Sequence, residues 1–235
     1  PLTKEEIWKF LISASSINRT SFEKALTEFP PTEFPPVKWE HKRGLFFLVG
    51  REKIVGKRIQ RKEASQGKLN FAKGIIKKLS IIPTVLFIGV SGSLALENSD
   101  EKDDIDLFII TSKNTLWITR LILVFLLILI GQYRGRGKKQ SQKVCLNMLI
   151  DEDALIFEKN RQNLYTAHEI TQLKSLFDRN NTYNKFLSAN KWIDAFLPNA
   201  RIRNHESGIM RKQKPLFIIH YSLFILEIIA KVFQL

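Results

Sequence analysis

The sequence predicts an α+β protein. A short apolar, β-branched run at residues 84–90 and an alternating strand pattern over residues 104–109 sit near the middle of the chain, and stretches of helical periodicity lie on both sides of them. At 235 residues, with 44% hydrophobic and 26% charged residues, the chain has material for one large domain or two small ones and reads as globular rather than disordered.

The opening stretch reads as two short helices. Thr3 with Glu6, and Thr20 with Glu23, each fit a capping box, in which a hydroxyl and a carboxylate satisfy free amides at a helix start. Ile7, Phe10 and Leu11 predict one buried face, and Phe22, Leu26 and Phe29 another. The prolines of residues 29–38 require extended or turn-like backbone. Residues 39–49 then read as a hairpin turning near Arg43 and Gly44. Helices followed by a basic hairpin resemble a small winged-helix module, so residues 1–55 are expected to form a winged-helix-like segment.

Residues 51–80 are helical in pattern, with Leu69, Ala72, Ile75, Ile76 and Leu79 on one stripe. The basic connecting helix is placed at 56–80. The net charge of +14 concentrates here: thirteen Lys and Arg (38, 42, 43, 51, 53, 57, 58, 61, 62, 68, 73, 77, 78) stand against three Glu (40, 52, 63). A second basic run, Arg134, Arg136, Lys138, Lys139 and Lys143, has no acidic residue. Such patches attract polyanions through counterion release, which predicts a nucleic-acid partner.

The central feature is a turn and a pair of aspartates. The run at 84–90 reads as a buried strand, and Ser91, Gly92 and Ser93 follow it at the start of a helix-competent stretch, an arrangement whose free amides suit a phosphate. In the next strand, alternation puts Asp104, Asp106 and Phe108 on one face and Ile105, Leu107 and Ile109 on the other. Two carboxylates on one face repel each other and are costly to desolvate, and a divalent cation removes both costs. Mg2+ (or Mn2+) favours such hard oxygen ligands together with substrate phosphates.

Gly92-Ser93, ten intervening residues, then Asp104-Ile105-Asp106 before an apolar run resembles the signature of the DNA polymerase β-like nucleotidyltransferase superfamily. The resemblance spans residues 85–151. It implies a mixed-sheet nucleotidyltransferase core, placed at 81–155, in which the Ser91-Gly92-Ser93 turn holds an NTP and Asp104 and Asp106 bind the metals that activate an acceptor hydroxyl. It also implies a third carboxylate on a later strand. Here alternation over residues 143–153 places Cys145, Asn147 and Leu149 on one face, so Asn147 stands at the expected position; Asp151 or Asp153 would have to reach the metal from just past the strand. The activity so implied is transfer of a nucleoside monophosphate to a hydroxyl. The charge favours a nucleic-acid 3′ end, RNA ahead of DNA, with Arg120, Arg134, Arg136, Lys138 and Lys139 as phosphate contacts. A nucleotidyltransferase acting on a small molecule or protein, or a non-catalytic nucleic-acid-binding relative, is the alternative.

Residues 156–235 are expected to be a helical region, including a helix over 163–177 that buries Leu164, Ala167, Ile170, Leu173 and Leu176 or Phe177 and carries Tyr165 and His168. Another helix should end at Pro198. The four histidines show no zinc spacing. Neither apolar stretch predicts a membrane span: residues 121–131 are short of the roughly 20 needed, and residues 216–235 carry His220, Glu227 and Lys231 at helical spacing. Cys145, the single cysteine, excludes an internal disulfide and is expected as a buried strand residue in a cytoplasmic protein. The absence of an initiator Met and the apolar finish at Leu235 suggest a piece of a longer chain.

Overall fold

A computed structural model describes residues 1–28, 39–135 and 142–200, and the backbone of 210–211. The proline-rich stretch, Arg136, Lys138 and Lys139, and the apolar segment 216–235 lie outside the described residues. The architecture is α+β, with two sheets.

The first sheet comprises β1 (Leu2–Thr3), β2 (Trp39–Lys42) and β3 (Leu45–Leu48), ordered β1-β3-β2, and is flanked in sequence by α1 (Lys4–Lys9) and α2 (Arg19–Glu28). The hairpin turns where expected: Lys42 pairs with Leu45, and Arg43 and Gly44 take the positive φ values of 53° and 77° that a tight two-residue turn requires. The capping box at Thr3 forms, with Glu6 donating its N–H to the hydroxyl at 3.1 Å and accepting from the Thr3 N–H at 2.7 Å. The one expected at Thr20 does not. Asn18 instead accepts from the Ser21 N–H at 2.8 Å, the helix begins at Arg19, and Glu23 is drawn into ion pairs with Lys4 and Arg19. Trp8 of α1, Phe22 of α2 and Leu45 and Phe47 of β3 are buried, while Ile7, Phe10 and Leu11 are half-buried.

The second sheet is mixed. β4 (Val85–Val90), β5 (Ile105–Thr111), β6 (Val144–Asp151), β7 (Lys174–Asp178) and β8 (Met210–Arg211) lie in the order β6-β5-β4-β7-β8. β4 is antiparallel to both neighbours, whereas β5 and β6 run parallel and are joined through α5 (Leu116–Leu129). The helix expected over 163–177 stops early. α6 is Leu164–Gln172, and Lys174–Asp178 leaves it to become β7, because Leu176 and Phe177 fill the sheet beside β4. α7 (Thr182–Ala189) follows, and in place of the expected helix ending at Pro198 there is a 3-10 turn at Lys191–Ala195.

Each face of this sheet is covered. On one, Ile105, Leu107 and Ile109 pack with Leu123, Leu126 and Leu127 of α5 and with the Leu69, Ala72, Ile75, Ile76 and Leu79 stripe of the long helix α3 (Lys53–Leu79). On the other, Phe108 and Ile110 pack with Ala167 and Ile170 of α6 and with Tyr183, Phe186 and Leu187 of α7. Each large side chain so buried contributes about 1.5–3 kcal/mol. The outward face of α5 is apolar as well, with Trp117, Leu121, Phe125 and Ile128 all at least half exposed. No helix among the described residues is long and apolar enough to cross a membrane.

Candidate functional site

The site forms where β4 ends and β5 begins. Strand alternation in β5 directs Asp106 to the same side as Phe108, while its neighbours Ile105 and Leu107 are buried on the other side. The chain leaving β4 is locked to this spot by the Ser91 N–H, which donates to the Asp106 carbonyl at 2.9 Å. Gly92 then takes φ +65°, and a Cβ on it would lie 3.2 Å from the Asp106 carboxylate oxygen. The turn and the carboxylate are therefore in near contact, and only a residue without a side chain fits there comfortably. The helix that follows, α4 (Gly92–Ala95), is a single turn.

The loop from Leu96 to Asp104 is held by the basic helix. Two cations of α3, Arg58 and Lys68, point inward. Arg58 donates to the carbonyls of Leu96 and Glu97 and pairs with Glu6 at 2.7 Å. Lys68 donates to the Ser99 hydroxyl at 3.2 Å, the Asp103 carbonyl at 2.7 Å and the Asp100 carbonyl. Asp103 closes the loop from within, accepting from the Asp100 N–H at 2.8 Å and from the Ser93 hydroxyl at 3.2 Å. These two cations are part of the scaffold and not of a solvated basic face. Lys53, Lys57, Lys62, Lys73, Lys77 and Lys78 of the same helix remain exposed.

Asp104 comes next, with a side chain only 13% exposed. One of its oxygens accepts from the Arg134 guanidinium at 2.8 Å, and the other, Oδ1, is buried without a hydrogen-bond partner. Burial pushes the Asp106 carboxyl above its ordinary range; a hydrogen bond from Cys145 and the charge of Arg134 act against this, and Asp104 adds to it. Cys145 is half-buried rather than sealed in the strand, because it lies opposite Asp106 in the β5–β6 ladder on the side that forms the site. Burial, reinforced by Asp106, raises its thiol.

The third-carboxylate position needs correction. Pairing of β5 with β6 slips between Leu107 and Phe108: Leu107 faces Leu146, Phe108 faces Met148, and Asn147 is left over as a bulge. The bulge reverses the alternation beyond it, so Leu149 packs with the α3 and α5 core while Met148 and Ile150 join Phe108. Asn147 is exposed, and its amide donates to the Ser91 hydroxyl at 3.4 Å. Asp151 and Asp153 do not come near. Asp151 faces Thr111 at the other end of β5, roughly 17 Å along the strand from Asp106. There it caps the Asn114 N–H at 2.6 Å, and Asp153 pairs with Lys113 at 2.8 Å. Arg120 sits near that same far end, next to Thr119, which bonds Thr84 at 2.6 Å.

A cavity of about 240 Å³ opens beside the turn, lined by Ser91, Asn147, Phe108, Met148, Tyr165 and Glu169 among others. Glu169, a residue the sequence did not single out, faces it from α6, and burial followed by the charge of Asp106 raises its carboxyl. Its only sequence signal is a single acid on a helix, which helices carry routinely. His168 points elsewhere, packing on Phe10 and bonding Gln172. Tyr165 is 73% exposed at the cavity's edge.

The donor set fits a hard divalent cation. Asp104 and Asp106 stand two residues apart at one strand end, and Asp104 has a buried oxygen with nothing bound to it. No group of three His, Cys, Asp or Glu among the described residues is placed to hold an ion, so the remaining ligands would be water and phosphate oxygens.

No family model and no curated protein matches this chain. Among solved structures, a toxin-antitoxin crystal structure with AMP-PNP is similar over 52% of this chain and 90% of that chain, at 19% identity and a TM-score of 0.34. A score that low sets neither fold nor function.

Proposed function

We propose that the chain is a metal-dependent nucleotidyltransferase of the DNA polymerase β-like type, which moves a nucleoside monophosphate from an NTP to a hydroxyl. The observation that carries this reading is the contact between turn and carboxylate: Gly92 abuts Asp106, and the neighbouring Asp104 keeps a buried oxygen without a partner. The Ser91 N–H is held by the Asp106 carbonyl, so the backbone amides of Gly92 and Ser93 would receive the triphosphate, and Asp104 and Asp106 would hold Mg2+ or Mn2+. The bound cation supplies positive charge that eases loss of the acceptor's proton to water and offsets charge on the departing pyrophosphate. The protein's own task is positioning: the acceptor oxygen must lie in line with the α-phosphorus as that bond forms and the bond to the bridging oxygen breaks.

For the acceptor, a nucleic-acid 3′ end, RNA before DNA, is supported by the exposed lysines 53, 57, 62, 73, 77 and 78 along α3. The test incubates the protein with each labelled NTP, Mg2+ or Mn2+ and total RNA, beside the Asp104→Ala/Asp106→Ala double variant. Label transferred by the parent protein alone supports the reading. Equal transfer by both proteins would sink it, and transfer that persists when the exposed α3 lysines are reversed to Glu would move the acceptor to a small molecule or protein.

A further inference from the structure

The ion pair between Arg134 and Asp104 places a protein cation on a carboxylate that the proposed reaction needs for a metal. The root of Arg134 is fixed. Its N–H donates to the Val144 carbonyl at 3.0 Å, Tyr133 bridges to Val144, and the adjacent Lys143 carbonyl accepts from the Ile105 N–H at 2.8 Å. Arg134 therefore starts alongside the strand end that carries the aspartates, and its side chain, 38% exposed, reaches over to them. Its charge also acts on Asp106 and on Cys145. The guanidinium occupies only part of the site: one oxygen of Asp104 is bonded and Oδ1 is left buried and bare. Two carboxylates bring a charge of two minus, and one arginine neutralises half of it. A divalent cation would neutralise all of it and could use the bare oxygen, but Arg134 is then a third positive charge at close range.

We propose that Arg134 is the resident counter-cation of this carboxylate pair, that a divalent cation must displace it from Asp104, and that the displaced guanidinium, still rooted at the start of β6, turns to the phosphates of the incoming nucleotide. Metal and arginine are competitors for one oxygen, while nucleotide and metal help each other because the triphosphate gives the arginine somewhere to go. This rests on the metal-dependent reading above.

The experiment is Mn2+ binding followed by the electron paramagnetic resonance signal of free Mn2+, without nucleotide, on the parent protein, Arg134→Gln, Arg134→Lys and Asp104→Asn, each first checked for a cooperative melt. Competition at this strength is expected to appear as Mn2+ binding about tenfold tighter in Arg134→Gln. Arg134→Lys, which keeps the charge, should stay near the parent, and Asp104→Asn should lose the ion. In the parent, ATP or GTP should tighten Mn2+ beyond the chelation measured with nucleotide alone, and that gain should shrink in Arg134→Gln. Equal or weaker Mn2+ binding by Arg134→Gln overturns the competition and leaves the metal site standing. No Mn2+ bound by either protein overturns the metal site and the competition together.

Discussion

The carboxylate of Asp106 lies so close to the α-carbon of Gly92 that a methyl group there would sit 3.2 Å from its oxygen. Gly92 also has φ +65°, a conformation in which a side chain costs about 1–2 kcal/mol. Gly92→Ala is accordingly expected to lower stability by about that much, with a further loss of the proposed nucleotide transfer as Asp106 is pushed aside. Denaturant unfolding and the label-transfer assay would check the two parts separately, and an alanine variant of full stability and activity would refute the close approach.

Ionised Asp106 is a burden on the folded protein. Burial raises its carboxyl, so the folded state holds that proton more tightly than the unfolded chain, whose aspartates titrate at about 3.9. Ionisation therefore subtracts stability as pH rises from that value through the raised folded one. Asp106→Asn should melt at a higher temperature than the parent at neutral pH in EDTA. The difference should shrink on acidification and vanish once both states are protonated. A variant less stable at neutral pH would contradict this.

Lys68 and Lys73 test the division of α3 into scaffold and surface. Lys68→Met leaves the Ser99 hydroxyl and the Asp103 carbonyl without the lysine's donor, while the Asp100 carbonyl keeps the Asp103 N–H and the Ser99 hydroxyl, and the change should cost about 1–3 kcal/mol. Lys73→Met, on the exposed side, should change stability by no more than about 0.5 kcal/mol. If RNA is bound, Lys73→Met should instead reduce the salt dependence of that binding, by one ion's worth of slope.

On α5 the same contrast is expected between apolar residues. Leu127→Ala removes a fully buried side chain and should cost about 2–5 kcal/mol. Leu121→Gln and Phe125→Gln alter the exposed face and should leave the melting temperature within about a degree of the parent.

Much of this was legible in residue order, and the failures have a common cause. β5 could be read directly because its alternation is unbroken: Asp106 and Phe108 fall on one side and Ile105, Leu107 and Ile109 on the other. β6 could not, since the bulge at Asn147 shifts the pairing by one residue and no Gly or Pro announces it. The roles of Arg58 and Lys68 were hidden because their partners, Leu96 to Asp103, lie about 30 or more residues away, and a cation turned inward has the same letter as one facing water. Lys174–Asp178 continued the helical pattern of α6, and only the open edge of β4 decided otherwise. Thr20 lies inside a helix that already starts at Arg19 with Asn18 accepting from the Ser21 N–H, and Glu23, the other half of the expected box, pairs with Lys4 and Arg19 instead.

The chain contains a single cysteine, and that residue hydrogen-bonds Asp106 and feels Arg134. Chemistry aimed at thiols thus has one destination in this protein, directly against the carboxylates. A spin label or fluorophore attached without any mutagenesis would report on that spot alone, and an electrophile small enough to enter would plug it. The same placement makes oxidation of one sulfur atom, out of a whole polypeptide, a local event with a local cost.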